Sequence, residues 1–374
     1  MSTPVRAMAI CGTRPDAIKM APVVRVLQRH PAFEVRLIAT GQHREMLDQV
    51  LRLFRLTPDA DLNIMTPQQT LTEITTRTLE GLDRLLRELP ADVVLAQGDT
   101  TTTFAAALAA FYHRVPFGHV EAGLRTYDKY QPFPEEMNRR LTAPLAEFHF
   151  APTETARQHL LQEHIPDGRI WITGNTGIDA VQWVAQQPYE PTEPALQRAL
   201  THAGRVLLLT THRRENWGEP MRSIARAAHE LLQRFDDLLL LLPMHRNPRV
   251  RETLTAVLGN HPRALLTEPL DYAPFVHAMR RADLILTDSG GVQEEAPAFG
   301  KPILVLRETT ERPEGVVAGA AKLVGTDAEQ IVAESVRLLT DADAYAQMAR
   351  AVNPYGDGRA SERIRDILLQ ELRP

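Results

Sequence analysis

Cysteine is almost absent from this chain: Cys11 is its one thiol in 374 residues. That excludes an internal disulfide and any zinc cluster built from thiolates. Its place at the end of an apolar run predicts a small buried side chain. The histidines are too scattered for a metal site, with no HExxH and no His-rich pair beside an acid. Lysine is scarce too. Of 42 cationic residues only Lys19, Lys129, Lys301 and Lys322 are lysine, an arginine bias that fits either genome composition or heat adaptation. Positive excess is lacking: a formal net charge of -5 argues against a general nucleic-acid binder. No run reaches the roughly 18 apolar residues of a membrane helix. No basic segment followed by a long apolar one opens the chain, so no signal peptide is evident. The expectation is a cytoplasmic protein without a membrane partner.

What is present is a soluble globular composition, 44% hydrophobic and 24% charged, in a chain too long for one ordinary core. Short apolar runs alternate with helical patterns, the signature of a parallel α/β sheet. Strands are expected near 5–11, 34–40, 92–97, 116–120, 148–152 and 170–173, with helices such as 44–54, 71–89 and 101–113 between them. The alanines of the last of these predict close packing under the sheet. The pattern restarts with strands at 205–211, 237–243, 264–268, 283–287, 303–307 and 322–324. Between the halves, the stretch 186–204 holds Pro188, Pro191 and Pro194 and no strand signal. Domains are therefore expected at 1–187 and 204–358, with a C-terminal helix in 359–374 that can pack back on the first. The fold class is α/β, two Rossmann-like doubly wound domains facing a cleft. Ligands in such sheets bind at the carboxyl ends of the strands.

Polar residues gather at those ends. In Thr287–Pro302, Asp288 and Ser289 can cap a helix, and Gly290 and Gly291 bring bare backbone to a ligand. Free N–H groups and a helix dipole there suit an anion. Glu295, about one turn in, can accept from a ribose, so the pair suggests a sugar nucleotide; an ordinary capped turn is the alternative. After the first strand come Arg14, projecting from the strand end, Pro15 at a first helical turn and Lys19 about one turn in; the spacing is neither Walker A nor GxGxxG, and a capped helix start with a solvated lysine is the alternative. Asp99 stands where a helix N-cap would, Glu121 falls in a loop, and Pro134 fits the first turn of a helix opened by Glu135 and Glu136. If Asp99, Glu121 and Glu135 converge, mutual repulsion favours proton transfer. His212 and Arg213 can bind phosphate, with a hydrogen-bonded structural histidine as the alternative; His245 repeats the theme, Arg312 adds a cation or sits in a polar surface loop, and Phe275 either stacks on a base or joins the core.

The blocks GTRPDAIKMAPV, GQHREML, QGDTTTT, HVEAGLRT, PFPEEMNR, HRREN, LTDSGGVQEEAP, GKPILVLRETTERPE and NPYGDG occur in order across nearly the whole chain. Together they resemble the non-hydrolysing UDP-N-acetylglucosamine 2-epimerases of bacteria. Asp16 stands where that family usually has Glu, and Thr211 where Gly or Ala is usual. The resemblance implies a glycosyltransferase B-type fold, usually a homodimer. It also implies interconversion of UDP-N-acetylglucosamine and UDP-N-acetylmannosamine with no cofactor, neither NAD nor an obligatory metal. UDP would leave by anti elimination to an enzyme-held 2-acetamidoglucal and then add back.

Site roles follow from the same resemblance. Asp99, Glu121 and Glu135 would be the proton-handling acids; Arg14, Lys19 and His212 would hold the diphosphate. Ser289, Gly290 and Gly291 would bind phosphate, Glu295 the ribose, with Arg312 near the phosphates and Leu270 and Phe275 at the uracil. Gln42, Gln69, Glu136, Arg213 and His245 match positions that bind a second, activating UDP-N-acetylglucosamine in some members. Glu45 replaces a Gln carried by some of those. Competing readings are a glycosyltransferase on the same scaffold, a hydrolysing relative, an epimerase for a modified sugar, and a non-catalytic UDP-sugar sensor.

Overall fold

The computed structural model describes residues 3–41, 44–66 and 68–373, with the backbone alone at 44–46. Among these residues the strands form two all-parallel sheets, one in each of two compact units. Unit 1 comprises the chain up to Ala180 together with the stretch from Gly356 onward; unit 2 is Val181–Tyr355. The division falls inside the helix Thr176–Gln186.

Unit 1 contains β1 (Val5–Cys11), β2 (Phe33–Ala39), β3 (Ala60–Asp61), β4 (Val93–Gln97), β5 (Phe117–Val120), β6 (Phe148–Ala151) and β7 (Ile170–Ile172). Their order is β3-β2-β1-β4-β5-β6-β7. Chain order reverses between β1 and β4, where Ile10 pairs with Ala96. The turns that follow these two strands therefore lie side by side, at the switch point where doubly wound sheets bind ligands. Unit 2 repeats the plan with β8 (Val206–Thr210), β9 (Leu239–Pro243), β10 (Ala264–Thr267), β11 (Leu284–Thr287), β12 (Ile303–Val305) and β13 (Ala321–Leu323). The order β10-β9-β8-β11-β12-β13 puts its switch point between β8 and β11, where Thr210 pairs with Thr287.

The central strands are buried on both faces, which is why they read as continuous apolar runs rather than alternating ones. In unit 2, Leu207, Leu209, Leu240, Leu242, Leu284 and Leu286 pack with Ile224, Leu231 and Leu254 from the covering helices. Each buried leucine contributes about 1.5–3 kcal/mol. In unit 1, Ala106, Ala107, Ala109 and Ala110 of the helix Thr101–Tyr112 pack with Ile10, Val94 and Phe117. Small side chains bring that helix close to the sheet, as the alanine run predicts.

The expected strands are present to within a few residues. The two-residue β3 is an addition, too short to carry a periodic signal. The proline-rich stretch between the sheets contains the helix Pro194–Thr201, with Pro194 at its first turn. The helix Ala360–Leu372 packs beside the helix Arg14–Gln28 in unit 1. Asp179 accepts the N–H groups of Ala360 at 3.2 Å and Ser361 at 2.8 Å, satisfying two donors that a helix start leaves open. Among the described residues no helix is long and apolar enough to cross a membrane.

Candidate functional site

In unit 1 the turn after β1 is shaped by a buried acid. Asp16 accepts from Gly12 N at 3.0 Å, Thr13 N at 2.7 Å, Thr13 Oγ1 at 2.8 Å and Ala17 N at 2.9 Å. Burial pushes its carboxyl up to about 6 against these donors. A Cβ at Gly12 would lie 2.4 Å from Thr40 Oγ1 and 2.6 Å from Thr102 Oγ1, so this approach requires glycine. The turn carries Arg14 to a cavity of about 450 Å³ whose walls include Asp99, Thr100, Glu135 and Asn138.

Asp99 is not the helix cap that its position suggests. Thr100 takes that place, accepting Thr103 N at 3.2 Å. The Asp99 carboxylate instead receives Arg139 Nε at 2.9 Å and Nη2 at 2.5 Å, and its carbonyl receives Asn138 Nδ2 at 2.9 Å. Both partners come from the helix Glu135–Thr142, which also brings Glu135 to the same cavity. Pro134 precedes that helix as its cap residue rather than filling its first turn. Glu121 is held in the left-handed region at φ 64°. Its buried carboxylate accepts from Lys19 Nζ at 2.6 Å, Asn175 Nδ2 at 3.1 Å and Gln97 Nε2. A Cβ at Gly98 would lie 3.9 Å from Glu121 Oε2, so Glu121 is beside the turn that bears Asp99. Asp99 and Glu135 thus share a cavity with Arg14, and Glu121 stands next to them. Cations face Asp99 and Glu121, where the sequence alone suggested acid against acid. Under this turn His119 Nε2 lies 2.7 Å from the Gly98 carbonyl; burial lowers its pKa to about 4, so the ring is neutral near pH 7.

Of the residues matched to a second nucleotide, Glu136 is fully buried. It accepts the N–H groups of Thr126 at 3.0 Å and Tyr127 at 3.1 Å, with Arg139 Nη1 at 3.3 Å. Gln69 accepts Thr66 N at 3.2 Å. Gln42 lies outside the described residues.

In unit 2 the hub is Asp288. Rather than capping the helix that follows, its buried carboxylate accepts from Thr211 Oγ1 at 2.8 Å, His212 N at 2.9 Å, Arg213 N at 3.0 Å and Asn216 Nδ2 at 3.0 Å. His212 Nδ1 lies 3.2 Å away. Burial alone would raise the Asp288 pKa; the His212 hydrogen bond, its charge and the two backbone N–H groups outweigh that and hold it below the usual value. The exposed His212 ring stacks on His245 with centroids 5.9 Å apart. Ser289 occupies the cap position of the helix Gly290–Glu295 without a side-chain cap bond. A Cβ at Gly291 would meet nothing within 4 Å, and one at Gly290 only Arg213 Nη2 at 3.9 Å, so this backbone is open to a ligand.

Two charged loops flank that turn. Arg213 donates to the Asp288 carbonyl at 3.1 Å and lies 3.3 Å from Glu311. Glu311 also receives Arg307 Nη1 at 2.8 Å, and that hydrogen bond, against partial burial, holds its carboxyl at about 2. Arg312 pairs closely with Glu294. Its N–H reaches Thr310 Oγ1 at 3.0 Å; Thr310 donates to Gln293 at 2.7 Å, and Gln293 to the Ser289 carbonyl at 3.2 Å. Arg312 is thereby tied to the glycine turn. Tyr272 donates to Glu295 Oε1 at 3.3 Å from the helix Tyr272–Arg281, which also carries half-buried Phe275, just after half-buried Leu270.

Arg139, Tyr272, Asn175 and the Arg307–Glu311 pair have no role in the sequence analysis, and Asp288 has one there only as a helix cap. Arg139 alone carried a local signal, four residues after Glu135 on one helix. The Asp288 donors lie 72–77 residues away, beyond any local pattern. Among the described residues no cluster of three or more His, Cys, Asp or Glu could hold a metal ion.

A family model described as UDP-N-acetylglucosamine 2-epimerase matches residues 25–369. The chain is 53% identical over 369 residues to the UDP-N-acetylglucosamine 2-epimerase of Escherichia coli strain K12, covering 97% of this chain and 98% of that one. A solved structure from Listeria monocytogenes is 49% identical, with a TM-score of 0.93 and coverage of 98% and 97%. The crystal structure of the Neisseria meningitidis UDP-GlcNAc 2-epimerase bound to UDP-GlcNAc is 46% identical, with a TM-score of 0.84 and coverage of 98% and 100%. With two Rossmann-like units the fold is of the glycosyltransferase B type, and the chain belongs to the UDP-N-acetylglucosamine 2-epimerase family.

Proposed function

We propose that this protein is a non-hydrolysing epimerase that interconverts UDP-N-acetylglucosamine and UDP-N-acetylmannosamine. The C2 proton is not next to a carbonyl carbon, so its direct removal would leave an unstabilised carbanion. Breaking the C1–O bond to UDP as the C2–H bond breaks forms a C1–C2 double bond and moves the charge to the diphosphate, which cations stabilise. UDP then returns to C1 of the 2-acetamidoglucal, and a proton is delivered to the opposite face of C2.

The observation that carries this reading is the shared cavity of Asp99, Glu135 and Arg14. Two acids and a cation lining one cavity suit proton exchange beside a departing anion. Asp99 and Glu135 would exchange the proton. Glu121, enclosed by Lys19, Gln97 and Asn175, would support them. Arg14, Lys19, His212 and Arg312 would hold the diphosphate with Ser289 and the open N–H groups of Gly290 and Gly291. Glu295 would take the ribose, and Leu270 and Phe275 the uracil. A second UDP-N-acetylglucosamine would use Gln42, Gln69, Glu136, Arg213 and His245, and the working form would be a homodimer.

Proton NMR of UDP-N-acetylglucosamine with the protein in deuterated water tests the reaction. Deuterium at C2 and an equilibrium mixture with the mannosamine epimer are expected. Absence of exchange would sink the proposal, and free N-acetylmannosamine as main product would replace it with the hydrolytic reaction.

A further inference from the structure

The block Asn353-Pro354-Tyr355-Gly356-Asp357-Gly358 stands out in the sequence, yet no role at the site has fallen to it. Tyr355 is buried, where a phenol hydroxyl needs a partner. It has two, accepting the N–H of Gly315 at 3.0 Å and donating to the Arg312 carbonyl at 3.1 Å. Burial drives its pKa well up, so the donor stays protonated. A Cβ at Gly315 would sit 3.0 Å from that hydroxyl, so the fit is close. Two residues earlier, Asn353 accepts Tyr355 N at 3.0 Å and donates to the Glu294 carbonyl at 3.4 Å. One short segment thus holds the backbone of both Arg312 and Glu294, the two members of the ion pair described above.

We propose that Tyr355 is a positioning residue for nucleoside diphosphate binding: its hydroxyl fixes the Arg312 backbone so that the guanidinium, steadied by Glu294, is presented to the diphosphate. This rests on the assignment of Arg312 to the phosphates. A free arginine side chain samples many rotamers, and anchoring it before the ligand arrives removes an ordering cost from binding. The N–H of Arg312 is already fixed by Thr310; Tyr355 fixes the carbonyl, so both sides of the residue are held.

The test is a double-mutant cycle read by calorimetric titration of the full chain with UDP. R312A is expected to weaken UDP binding. Y355F keeps the ring but leaves the Gly315 N–H and the Arg312 carbonyl without their partner, and should weaken UDP roughly fivefold to tenfold. With Arg312 gone there is nothing left to position, so R312A/Y355F should match R312A within about twofold. Wild-type affinity in Y355F overturns the inference. So does an undiminished Y355F effect in the R312A background, the result of a merely structural tyrosine. Wild-type affinity in R312A removes Arg312 from the diphosphate and overturns the assignment beneath the inference as well. If Y355F does not fold, N353A enters the same cycle and is read by the same criteria.

Discussion

Asp99–Arg139 in unit 1 and His212–Asp288 in unit 2 are both acid–base pairs at a sheet's switch point, but they face opposite ways. Asp99 is more exposed than its arginine, 28% against 15%. Asp288 is fully buried, while its histidine is 42% exposed. In the first pair the cation stands behind and the carboxylate is offered. In the second the carboxylate stands behind and the imidazole is offered, beside bare glycine backbone. The same two charges therefore present a carboxylate in one unit and an imidazole in the other, which is what the proposed roles in proton exchange and anion binding need. The difference lies in which partner the fold buries. Lys19–Glu121 follows the second pattern although it belongs to unit 1, and the supporting role proposed for Glu121 rests on that burial.

The largest effect is expected of D99N. The amide keeps the shape and removes the base. C2 exchange should fall about 10²- to 10⁴-fold with UDP affinity largely kept; unchanged turnover would remove Asp99 from the mechanism. Next comes D288N, which turns an NH₂ toward donors from Thr211, His212, Arg213 and Asn216. A loss of about 2–4 kcal/mol in urea unfolding is expected, together with weaker UDP binding. Unaltered unfolding would mean that Asp288 is not the hub of its loop. The smallest effect concerns Glu311, whose native pKa of about 2 lies below the ordinary 4.5. A depressed carboxylate stabilises above its unfolded pKa, and that contribution is lost as pH falls through the folded one. Thermal unfolding of E311Q should therefore fall slightly below wild type at pH 7, and the gap should close between about pH 4.5 and pH 2. A constant gap across that range would show that charge is not what joins the two loops.

Much of the fold was legible because both sheets are buried on both faces, leaving uninterrupted apolar runs such as those of β1 and β8. β3 escaped because two residues carry no period. At the site, residue types and their places after strands pointed to Asp99, Glu135 and the Ser289–Gly291 turn. Their partners did not show. A local rule made Asp99 and Asp288 helix caps, because an acid before a helix usually is one. Tertiary donors from Arg139 and from the β8 turn took both carboxylates instead. Local sequence states what a side chain can bond to; only the fold states which offer arrives first.

The helix Ala360–Leu372 lies in unit 1, capped by Asp179. Unit 2 is a single uninterrupted stretch of chain. During synthesis, then, unit 2 can finish folding while unit 1 still waits for the segment from Gly356 onward, which follows unit 2 in the chain. Until that moment one side of the helix Arg14–Gln28, and with it the segment bearing Arg14 and Lys19, lacks its neighbour. Synthesis thus delivers every part of the unit bearing His212 and Asp288 before it supplies the segment that unit 1, with Asp99 and Glu121, still lacks.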